Sequence, residues 1–232
     1  MTIAAQLAEV QARIAVAAQA AGRDPATVKL LAVSKTRPAA AVAEAYAAGQ
    51  RRFGESRVQE LRDKVGPLPG DIEWHLIGQL QANKVRAAVQ AAAWIHAVDS
   101  AGLLERLGRI AAEEGRQPHI LLEINISGEA SKSGAGVADA PRLLELALRS
   151  PQLDCAGLMT LAPLDAPEPV LRRVFGGLRE LRDRLAREFG VALPELSMGM
   201  SDDFPAAVRE GATLVRIGTA IFGERAAGPP GA

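Results

Sequence analysis

The sequence predicts a single (β/α)8 barrel, an α/β fold in which eight parallel strands alternate with helices. Short apolar runs alternate with longer helical patterns almost to the end of the chain, and eight such runs are present. A length of 232 residues is typical of one barrel, and 48% hydrophobic residues are enough for a large core. A doubly wound open sheet is the alternative, because the order of strands cannot be derived from one sequence.

An amphipathic helix precedes the barrel. Its apolar residues recur at helical spacing, namely Ile3, Leu7, Val10 and Ile14. The predicted strands then follow in chain order: Lys29–Ser34, Arg52–Gly54, Trp74–Gly78, Trp94–Val98, Ile120–Asn125, Cys155–Thr160, Glu195–Met198 and Leu214–Ile217. The first strand is not followed by a Gly-x-Gly-x-x-Gly turn, which argues against a dinucleotide-binding site.

The helical segments between the strands carry their own end signals. Gly115 is predicted to end the helix that follows the fourth strand. The longest segment contains Gly176 and Gly177, which predict a weak point within it. We expect one domain over residues 1–225 and a disordered tail at residues 226–232.

Composition narrows the classes of function. The formal net charge is zero and the pI is about 6.9, so a nucleic-acid partner is not expected. No apolar stretch reaches the roughly 18 to 20 residues that span a bilayer. The one cysteine, Cys155, excludes an internal disulfide and favours a reducing compartment. We expect a cytoplasmic monomer without a membrane partner, and no spacing of His, Cys and carboxylates predicts a metal site.

Lys35 follows the first apolar run, in the stretch "LLAVSKTRP". Functional side chains of a parallel barrel collect at the carboxyl ends of strands, so a polar residue there is a candidate site residue. The chain has five lysines against 22 arginines, so a lysine in this place indicates amine chemistry. Arginine cannot lose its proton and attack a carbonyl. The alternative is a structural, ion-paired lysine at a strand end.

Two glycine-containing loops, after the seventh and eighth strands, predict a phosphate site. Ser201 in "LSMGMSDDF" offers a hydroxyl, while Gly218 and Thr219 in "VRIGTAIFG" offer backbone amides and a second hydroxyl. A phosphate site between these two loops is a recurrent feature of barrels. For either loop alone, an ordinary helix cap is the alternative.

Arg216 lies within the eighth predicted strand, on the face that it shares with Gly218. A buried arginine needs an acceptor. The structural alternative for Arg216 is an ion pair with a carboxylate such as Glu55 or Glu123.

The histidines are expected to be structural. His75 lies within the third predicted strand and is expected to be a core residue, whereas His96 and His119 are expected at strand starts, away from the functional end. After the fifth strand, the loop "NISGEASKSG" places Lys132 among serines such as Ser131. This loop is a candidate flap or second anion site.

A reactive lysine, a phosphate site and a buried arginine together favour pyridoxal phosphate as cofactor. Lys35 would hold the aldehyde as a Schiff base, and Arg216 would meet the pyridine nitrogen. Ser201, Gly218 and Thr219 would bind the phosphate. A Schiff-base aldolase acting on sugar phosphates is a further alternative, but barrel aldolases are similar in placing their lysine on a later strand.

Eight motifs closely resemble the family of pyridoxal phosphate homeostasis proteins, in order from about residue 30 to residue 223: "AVSKTRP", "FGESRVQE", "WHLIGQLQANK", "HAVDS", "NISGEASKSG", "GLMTL", "LSMGMSDDF" and "VRIGTAIFG". The resemblance implies the barrel of the alanine racemase N-terminal domain, with pyridoxal phosphate carried on Lys35. The family usually reads Phe-Gly-Glu-Asn where this chain has Ser56, which is carried over as a cofactor-binding candidate with a shorter side chain.

The function implied by this resemblance is intracellular homeostasis of pyridoxal phosphate, by buffering the cofactor or delivering it to apoenzymes. The alternative is an amino-acid racemase or a related enzyme. Racemases of this fold add a C-terminal β domain and use a tyrosine as second base, whereas the one tyrosine here, Tyr46, lies in the helix after the first strand. An arginine at the pyridine nitrogen would also make the ring a weaker electron sink. We therefore assign no catalytic residue.

Overall fold

The computed structural model describes residues 1–129 and 132–224, in which eight parallel strands close into a barrel surrounded by helices. The barrel strands are β1 (Lys29–Val33), β2 (Arg52–Glu55), β3 (Glu73–Leu76), β4 (Trp94–Val98), β5 (His119–Asn125), β6 (Asp154–Met159), β7 (Glu195–Ser197) and β8 (Leu214–Ile217). Each strand pairs with its neighbour along the chain, and β1 also pairs with β8, which closes the barrel. The predicted (β/α)8 barrel is confirmed, and the open sheet is wrong.

The register of the closing pair brings the predicted site residues to one end of the barrel. Lys29 lies opposite Leu214 and Ala32 opposite Ile217, so the residues after β1 and β8 emerge side by side. One strand was not predicted: the two-residue strand Ala135–Gly136 pairs with the carboxyl end of β5. This pairing brings the loop after β5 back to the same end of the barrel.

The helices alternate with the strands as the sequence predicts. They are α1 (Ile3–Ala20), α2 (Ala39–Ala47), α3 (Val58–Val65), α4 (Val85–Ala91), α5 (Ala101–Glu114), α6 (Ala140–Leu148), α7 (Glu168–Phe189), α8 (Phe204–Arg209) and α9 (Thr219–Phe222). The N-terminal helix α1 buries Leu7, Val10 and Ile14, and it packs across α2, α8 and α9. It therefore covers the outside of the barrel where the first and last units meet.

The two glycines within α7 do not interrupt the helix, so the predicted weak point is wrong. A Cβ on Gly176 would lie 3.1 Å from Glu210 Oε2, and one on Gly177 would lie 3.0 Å from Ile126 Cγ2. The glycines thus allow α7 to pack closely against its neighbours, and that packing stabilises the helix against its lower intrinsic propensity.

The interior of the barrel is partly polar, unlike the layer between strands and helices. That outer layer is mainly apolar, apart from the buried ion pair of Glu55 and Lys64, and it holds the three phenylalanines that are fully buried, Phe53, Phe175 and Phe204. Side chains alternate along a strand, so every second residue faces the interior. The buried polar residues on that inner face include His75, His96, Glu123, Glu195, Ser197 and Arg216.

No helix within residues 1–129 and 132–224 combines the length and apolar character needed to cross a membrane. The expected tail, residues 226–232, and the expected domain end at residue 225 lie outside the described residues. The division of the chain into domains stays a prediction.

Candidate functional site

A cavity of about 570 Å³ opens at the carboxyl ends of the barrel strands. Its walls include all six residues that the sequence predicts to bind a cofactor: Lys35, Ser56, Ser201, Arg216, Gly218 and Thr219. These residues come from four loops or strand ends that are far apart in sequence. Closure of the barrel brings them together.

Lys35 lies in a tight turn directly after β1. The amide of Arg37 donates to the carbonyl of Ser34 at 3.0 Å, which makes Lys35 the second residue of a four-residue turn. The third residue, Thr36, has a φ of 64°, in the left-handed region that costs a β-branched residue free energy. Its amide donates to Glu60 Oε2 at 2.7 Å. The turn is therefore held in a strained conformation by a contact from α3.

A buried ion pair fixes the end of β1 from behind. Lys64 of α3 donates to Glu55 Oε1 at 2.6 Å and to the carbonyl of Ser34 at 2.9 Å. The hydroxyl of Ser34 donates to the same carboxylate oxygen at 2.6 Å. Glu55 is fully buried, and this burial raises its pKa. The last residue before Lys35 is thus anchored through both its carbonyl and its hydroxyl.

The amine of Lys35 differs from the amines of Lys29 and Lys64 in its hydrogen-bond partners. Within the part of the chain that the structure describes, Lys35 forms neither an ion pair nor a side-chain hydrogen bond, whereas Lys29 pairs with Glu195 and Lys64 pairs with Glu55. Lys35 is half-buried at the cavity wall. The structural alternative, an ion-paired strand-end lysine, therefore does not describe it.

Arg216 is buried, with 4% of its surface exposed, and its hydrogen bonds go to neutral acceptors. Its Nη1 donates to Ser197 Oγ at 2.7 Å and its Nη2 to the carbonyl of Thr160 at 2.9 Å. The structural alternative for Arg216, an ion pair with Glu55 or Glu123, is wrong in the described residues: Glu55 pairs with Lys64, and Glu123 accepts from Ser133 and Gln79. Burial lowers the pKa of Arg216 to about 10, so the guanidinium stays charged at neutral pH.

The predicted phosphate site offers hydroxyl and amide donors in two loops. In the described residues, the hydroxyls of Ser201 and Thr219 have no hydrogen-bond partner within the chain. A Cβ on Gly218 would lie 3.0 Å from the carbonyl oxygen of Val33, so this loop needs glycine to pass so close to β1. Gly199, with a φ of 93°, lets the other loop turn tightly before Ser201.

The histidine assignments from the sequence are partly wrong. His75 is buried as expected, with Nε2 at 2.9 Å from Glu73 Oε1. His96 is not at the edge of the barrel: it is the third residue of β4, fully buried, with Nε2 at 2.9 Å from His75 Nδ1. Its Nδ1 lies 3.0 Å from Ser197 Oγ. All five residues of β4 are buried, so the sequence shows no apolar–polar alternation that would indicate which of them face the barrel interior.

Comparisons with known proteins agree with this architecture. A family model described as "Alanine racemase, N-terminal domain" matches residues 5–226. The chain is 48% identical over 231 residues to the pyridoxal phosphate homeostasis protein of Pseudomonas aeruginosa, with 99% of this chain and 98% of that protein covered. This chain belongs to the pyridoxal phosphate homeostasis protein family.

Solved structures support the family assignment and the fold. PipY of Synechococcus elongatus PCC7942, solved with pyridoxal phosphate bound, is 44% identical with a TM-score of 0.85, covering 95% of this chain and all of that chain. Alanine racemase of Corynebacterium glutamicum is 21% identical with a TM-score of 0.71, covering 98% of this chain and 62% of that chain. The racemase likeness shows the shared barrel fold alone.

This member of the family also lines the cavity with residues that the sequence reasoning did not assign to it. Glu123 of β5 is buried, which raises its pKa, and it accepts from Ser133 Oγ at 2.5 Å and from Gln79 Nε2 at 2.7 Å. Lys132 donates to the carbonyl of Ala162 at 3.3 Å. The candidate anion site around Lys132 is thus one wall of the same cavity, although Ser131 lies outside the described residues.

Strand parity was the available signal for Glu123, because it shares a face of β5 with the inward-facing Leu121. The position of Lys132 had no such signal, since it depends on the unpredicted strand Ala135–Gly136. Within the described residues, no group of three or more His, Cys, Asp and Glu side chains is placed to hold a metal ion.

Proposed function

We propose that this protein binds pyridoxal phosphate reversibly in the carboxyl-end cavity and thereby buffers the cofactor or delivers it to other proteins. The observation that carries the proposal is the amine of Lys35. It lines the cavity without an ion-pair partner in the described residues, on the wall shared with Gly218 and Thr219. The family and the PipY structure with pyridoxal phosphate support the same ligand.

The residues present fit this cofactor chemically. The cavity volume of about 570 Å³ is within the usual range of roughly 300 to 1,000 Å³ for small-molecule sites. An aldehyde needs a primary amine, a phosphate needs clustered donors, and a pyridine nitrogen is an acceptor. The cavity supplies Lys35 for the first and Arg216 for the last. The hydroxyls of Ser201 and Thr219, which have no hydrogen-bond partner within residues 1–129 and 132–224, are available as donors to the phosphate.

Each residue would have a distinct role in holding the cofactor. When bound, pyridoxal phosphate supplies an aldehyde that condenses reversibly with primary amines. Lys35 would provide the covalent attachment, and the rigid turn around it would direct its amine into the cavity. Ser201, Gly218 and Thr219 would donate to the phosphate. Because attachment through an amine is reversible, another amine could compete with Lys35 and release the cofactor.

Arg216 favours binding over turnover of amino acids. A guanidinium keeps its protons at neutral pH, so it would donate to the pyridine nitrogen and leave that nitrogen unprotonated. An unprotonated ring stabilises carbanions less well. The one tyrosine, Tyr46, lies in α2 and does not line the cavity. Its hydroxyl donates to Asp71 Oδ1 at 2.6 Å. For the racemase alternative, Glu123 and Lys132 would have to act as the second acid or base.

We further propose that the protein acts as a monomer in the cytoplasm, with pyridoxal phosphate-dependent apoenzymes as recipients. An open cavity at one end of the barrel would leave the cofactor within reach of an amine on a recipient. Activation of an apoenzyme by the loaded protein, faster than release into buffer allows, would support direct delivery. Activation at the rate of free release would support buffering alone.

The proposed function is tested by replacing Lys35 with methionine, with Lys29→Met as the matched control on the same strand. Purified wild-type protein incubated with pyridoxal phosphate is expected to develop a yellow absorption band. Borohydride reduction should then leave a pyridoxyl adduct that peptide mapping assigns to Lys35. Lys35→Met should lose the band and the adduct completely, whereas Lys29→Met should keep both.

Two outcomes would contradict the proposal. If wild-type protein takes up no pyridoxal phosphate, the assignment of this cofactor is wrong. If the spectrum of Lys35→Met is unchanged, the assignment of Lys35 as the attachment site is wrong. Steady conversion of L-alanine to D-alanine, above the level of Lys35→Met, would instead support the enzyme alternative.

A further inference from the structure

A chain of hydrogen-bonded side chains runs along the barrel interior, from the amino-end mouth to the cavity. Glu73 Oε1 lies 2.9 Å from His75 Nε2, and His75 Nδ1 lies 2.9 Å from His96 Nε2. His96 Nδ1 lies 3.0 Å from Ser197 Oγ, which accepts from Arg216 Nη1 at 2.7 Å. The members come from β3, β4, β7 and β8, so the chain crosses the whole barrel.

The two ends of this chain determine the direction of every hydrogen bond in it. Arg216 can only donate, and the ionised carboxylate of Glu73 can only accept. His75 must therefore place its proton on Nε2, facing Glu73, and a neutral His75 then accepts at Nδ1. His96 donates from Nε2 to His75 and accepts at Nδ1. The hydroxyl of Ser197 donates to that nitrogen and accepts from Arg216.

The surroundings favour neutral histidines and an ionised Glu73. Burial lowers the pKa of both His75 and His96, and the charge of Arg216 lowers that of His96 further. The hydrogen bond from His75 holds the pKa of Glu73 at about 2, and Arg52 supports it at 3.1 Å. Among the charged groups around His75, Arg52 opposes its protonation, while Glu73 and Glu195 favour it less strongly than burial opposes it.

The row of hydrogen-bonded side chains does not serve as a route for protons into the cavity. It ends on a guanidinium, which does not release a proton at neutral pH. A chain that polarises in one direction instead strengthens its hydrogen bonds cooperatively. The strengthened bond is the one between Ser197 and Arg216, at the cavity.

The hydrogen bond from Arg216 to Ser197 keeps the guanidinium away from a second possible partner, the carboxylate of Glu123. The charges of Asp203 and Glu123 both act on Arg216, yet neither carboxylate forms a hydrogen bond with it in the described residues. Asp203 accepts from the backbone amide of Met200 at 2.5 Å, whereas Glu123 is a buried carboxylate on the same cavity wall as Arg216. A guanidinium that rotated onto Glu123 would form a charge-assisted pair and lose its remaining N–H groups for a ligand. Ser197 and the carbonyl of Thr160 hold it in the other orientation.

We infer that Ser197, His96 and His75 are positioning residues, which hold the guanidinium of Arg216 away from Glu123 so that it can donate to an acceptor on the bound ligand. The inference rests on the proposed function, since pyridoxal phosphate is the ligand whose ring nitrogen would accept. It adds a role for three interior residues that do not touch the cavity.

The direction of the hydrogen bonds between Glu73 and Arg216 can be measured without any cofactor. The protein has three histidines, so the imidazole nitrogen signals of ¹⁵N-labelled apo protein can be assigned by single substitutions. At pH 7, His75 and His96 are expected as neutral rings with the proton on Nε2, with His119 as the reference at the opposite mouth. A proton on Nδ1 of His96, or an imidazolium at His75, would overturn the inferred direction.

The positioning role is tested by Ser197→Ala, compared with Ser197→Thr, which keeps the hydroxyl. Ser197→Ala should weaken binding of pyridoxal phosphate roughly tenfold, because a charged hydrogen bond of Arg216 is lost. It should also shift the absorption band and change the His96 signals. Ser197→Thr should restore all three, and Glu123→Gln added to Ser197→Ala should recover affinity.

Thr213→Val provides a control next to β8. The hydroxyl that it removes donates to Glu195 at 2.7 Å and accepts from the backbone amide of Leu196 at 2.8 Å, but it forms no hydrogen bond with Arg216. The Thr213→Val protein should bind like the wild type. A folded Ser197→Ala protein with wild-type affinity and spectrum would overturn the positioning role. If wild-type protein takes up no pyridoxal phosphate, the proposed function fails, and the histidine signals still decide the direction of the chain.

Discussion

Lys29 and Lys35 stand at opposite ends of the same strand and show how differently the two mouths of the barrel are built. Lys29 opens β1 and its Nζ lies 2.5 Å from Glu195 Oε1. Lys35 follows the other end of β1 and, in the described residues, has no acidic partner. One residue type thus serves as a structural cation at the amino end and as a free amine at the carboxyl end.

The neighbouring residues follow the same division. At the amino-end mouth, Arg52 pairs with Glu73 at 3.1 Å and His119 with Asp154 at 2.6 Å. At the cavity, Arg216 instead donates to a hydroxyl and a carbonyl. Polar residues at strand ends are therefore not sufficient to identify a site. What distinguishes the cavity is that, among the residues the structure describes, Lys35 and Arg216 have no carboxylate partner and so remain available to a ligand.

The largest effect on stability is expected at the buried ion pair of Lys64 and Glu55, which anchors the residue before Lys35. Lys64→Met would leave the buried carboxylate of Glu55 without its cationic partner, and we expect a loss of about 3–5 kcal/mol in the free energy of unfolding. Ser34 would also lose a donor to its carbonyl. Urea unfolding at pH 7 measures the loss.

Lys64→Met combined with Glu55→Gln provides the control for this prediction. Removing both charges should recover a large part of the stability, because the cost comes from an unpaired buried charge and not from the missing side chain. A single variant as stable as the wild type would show that the pair does not support the end of β1.

The sequence was sufficient for the fold and for residues whose signal is local. The strands Trp94–Val98 and Leu214–Ile217 occur with the predicted bounds, because each is a short apolar run between clear helical patterns. Lys35 was recognisable because lysine is rare in this chain and ends an apolar strand. Gly218 was recognisable because a glycine follows a buried strand directly.

The partners of these residues could not be derived in the same way. The bond from Arg216 to Ser197 and the contact between His75 and His96 join strands that are adjacent only once the barrel is closed. For a structural Arg216, the sequence offered only a carboxylate such as Glu55 or Glu123 as partner, since charge complementarity is the only guide without geometry. Burial on both faces of β4 likewise removed the alternation that would have placed His96 in the interior.

The interior chain makes the stability of the protein depend on pH near neutrality. Burial lowers the pKa of His75 and His96, so the unfolded chain binds more protons than the folded one below the usual pKa of about 6.5. Stability is therefore present above pH 6.5 and lost as the pH falls. The raised pKa of Glu55 and of Glu123 acts in the opposite direction.

We expect a net loss in the free energy of unfolding between pH 7 and pH 5, because two fully buried imidazoles resist protonation in the folded protein. Urea unfolding at the two pH values measures it, and His96→Gln should show a smaller loss because one buried neutral imidazole is removed. A loss in His96→Gln equal to that of the wild type would show that His96 does not contribute to the pH dependence of stability.

The smallest effect is expected at the amino-end mouth, where Lys29→Met removes the ion pair between a partly exposed lysine and the buried carboxylate of Glu195. We expect a loss of about 2 kcal/mol, less than for Lys64→Met, because Glu195 keeps its hydrogen bond from Thr213 at 2.7 Å. Binding of pyridoxal phosphate should not change, whereas Lys35→Met should abolish covalent binding with little change in stability. Lys29, at the start of β1, and Lys35, in the turn after it, would then separate stability from ligand binding. Reduced cofactor binding in a folded Lys29→Met protein would show instead that the two mouths are coupled, and the interior hydrogen-bonded chain that connects them would be the first place to look for the cause.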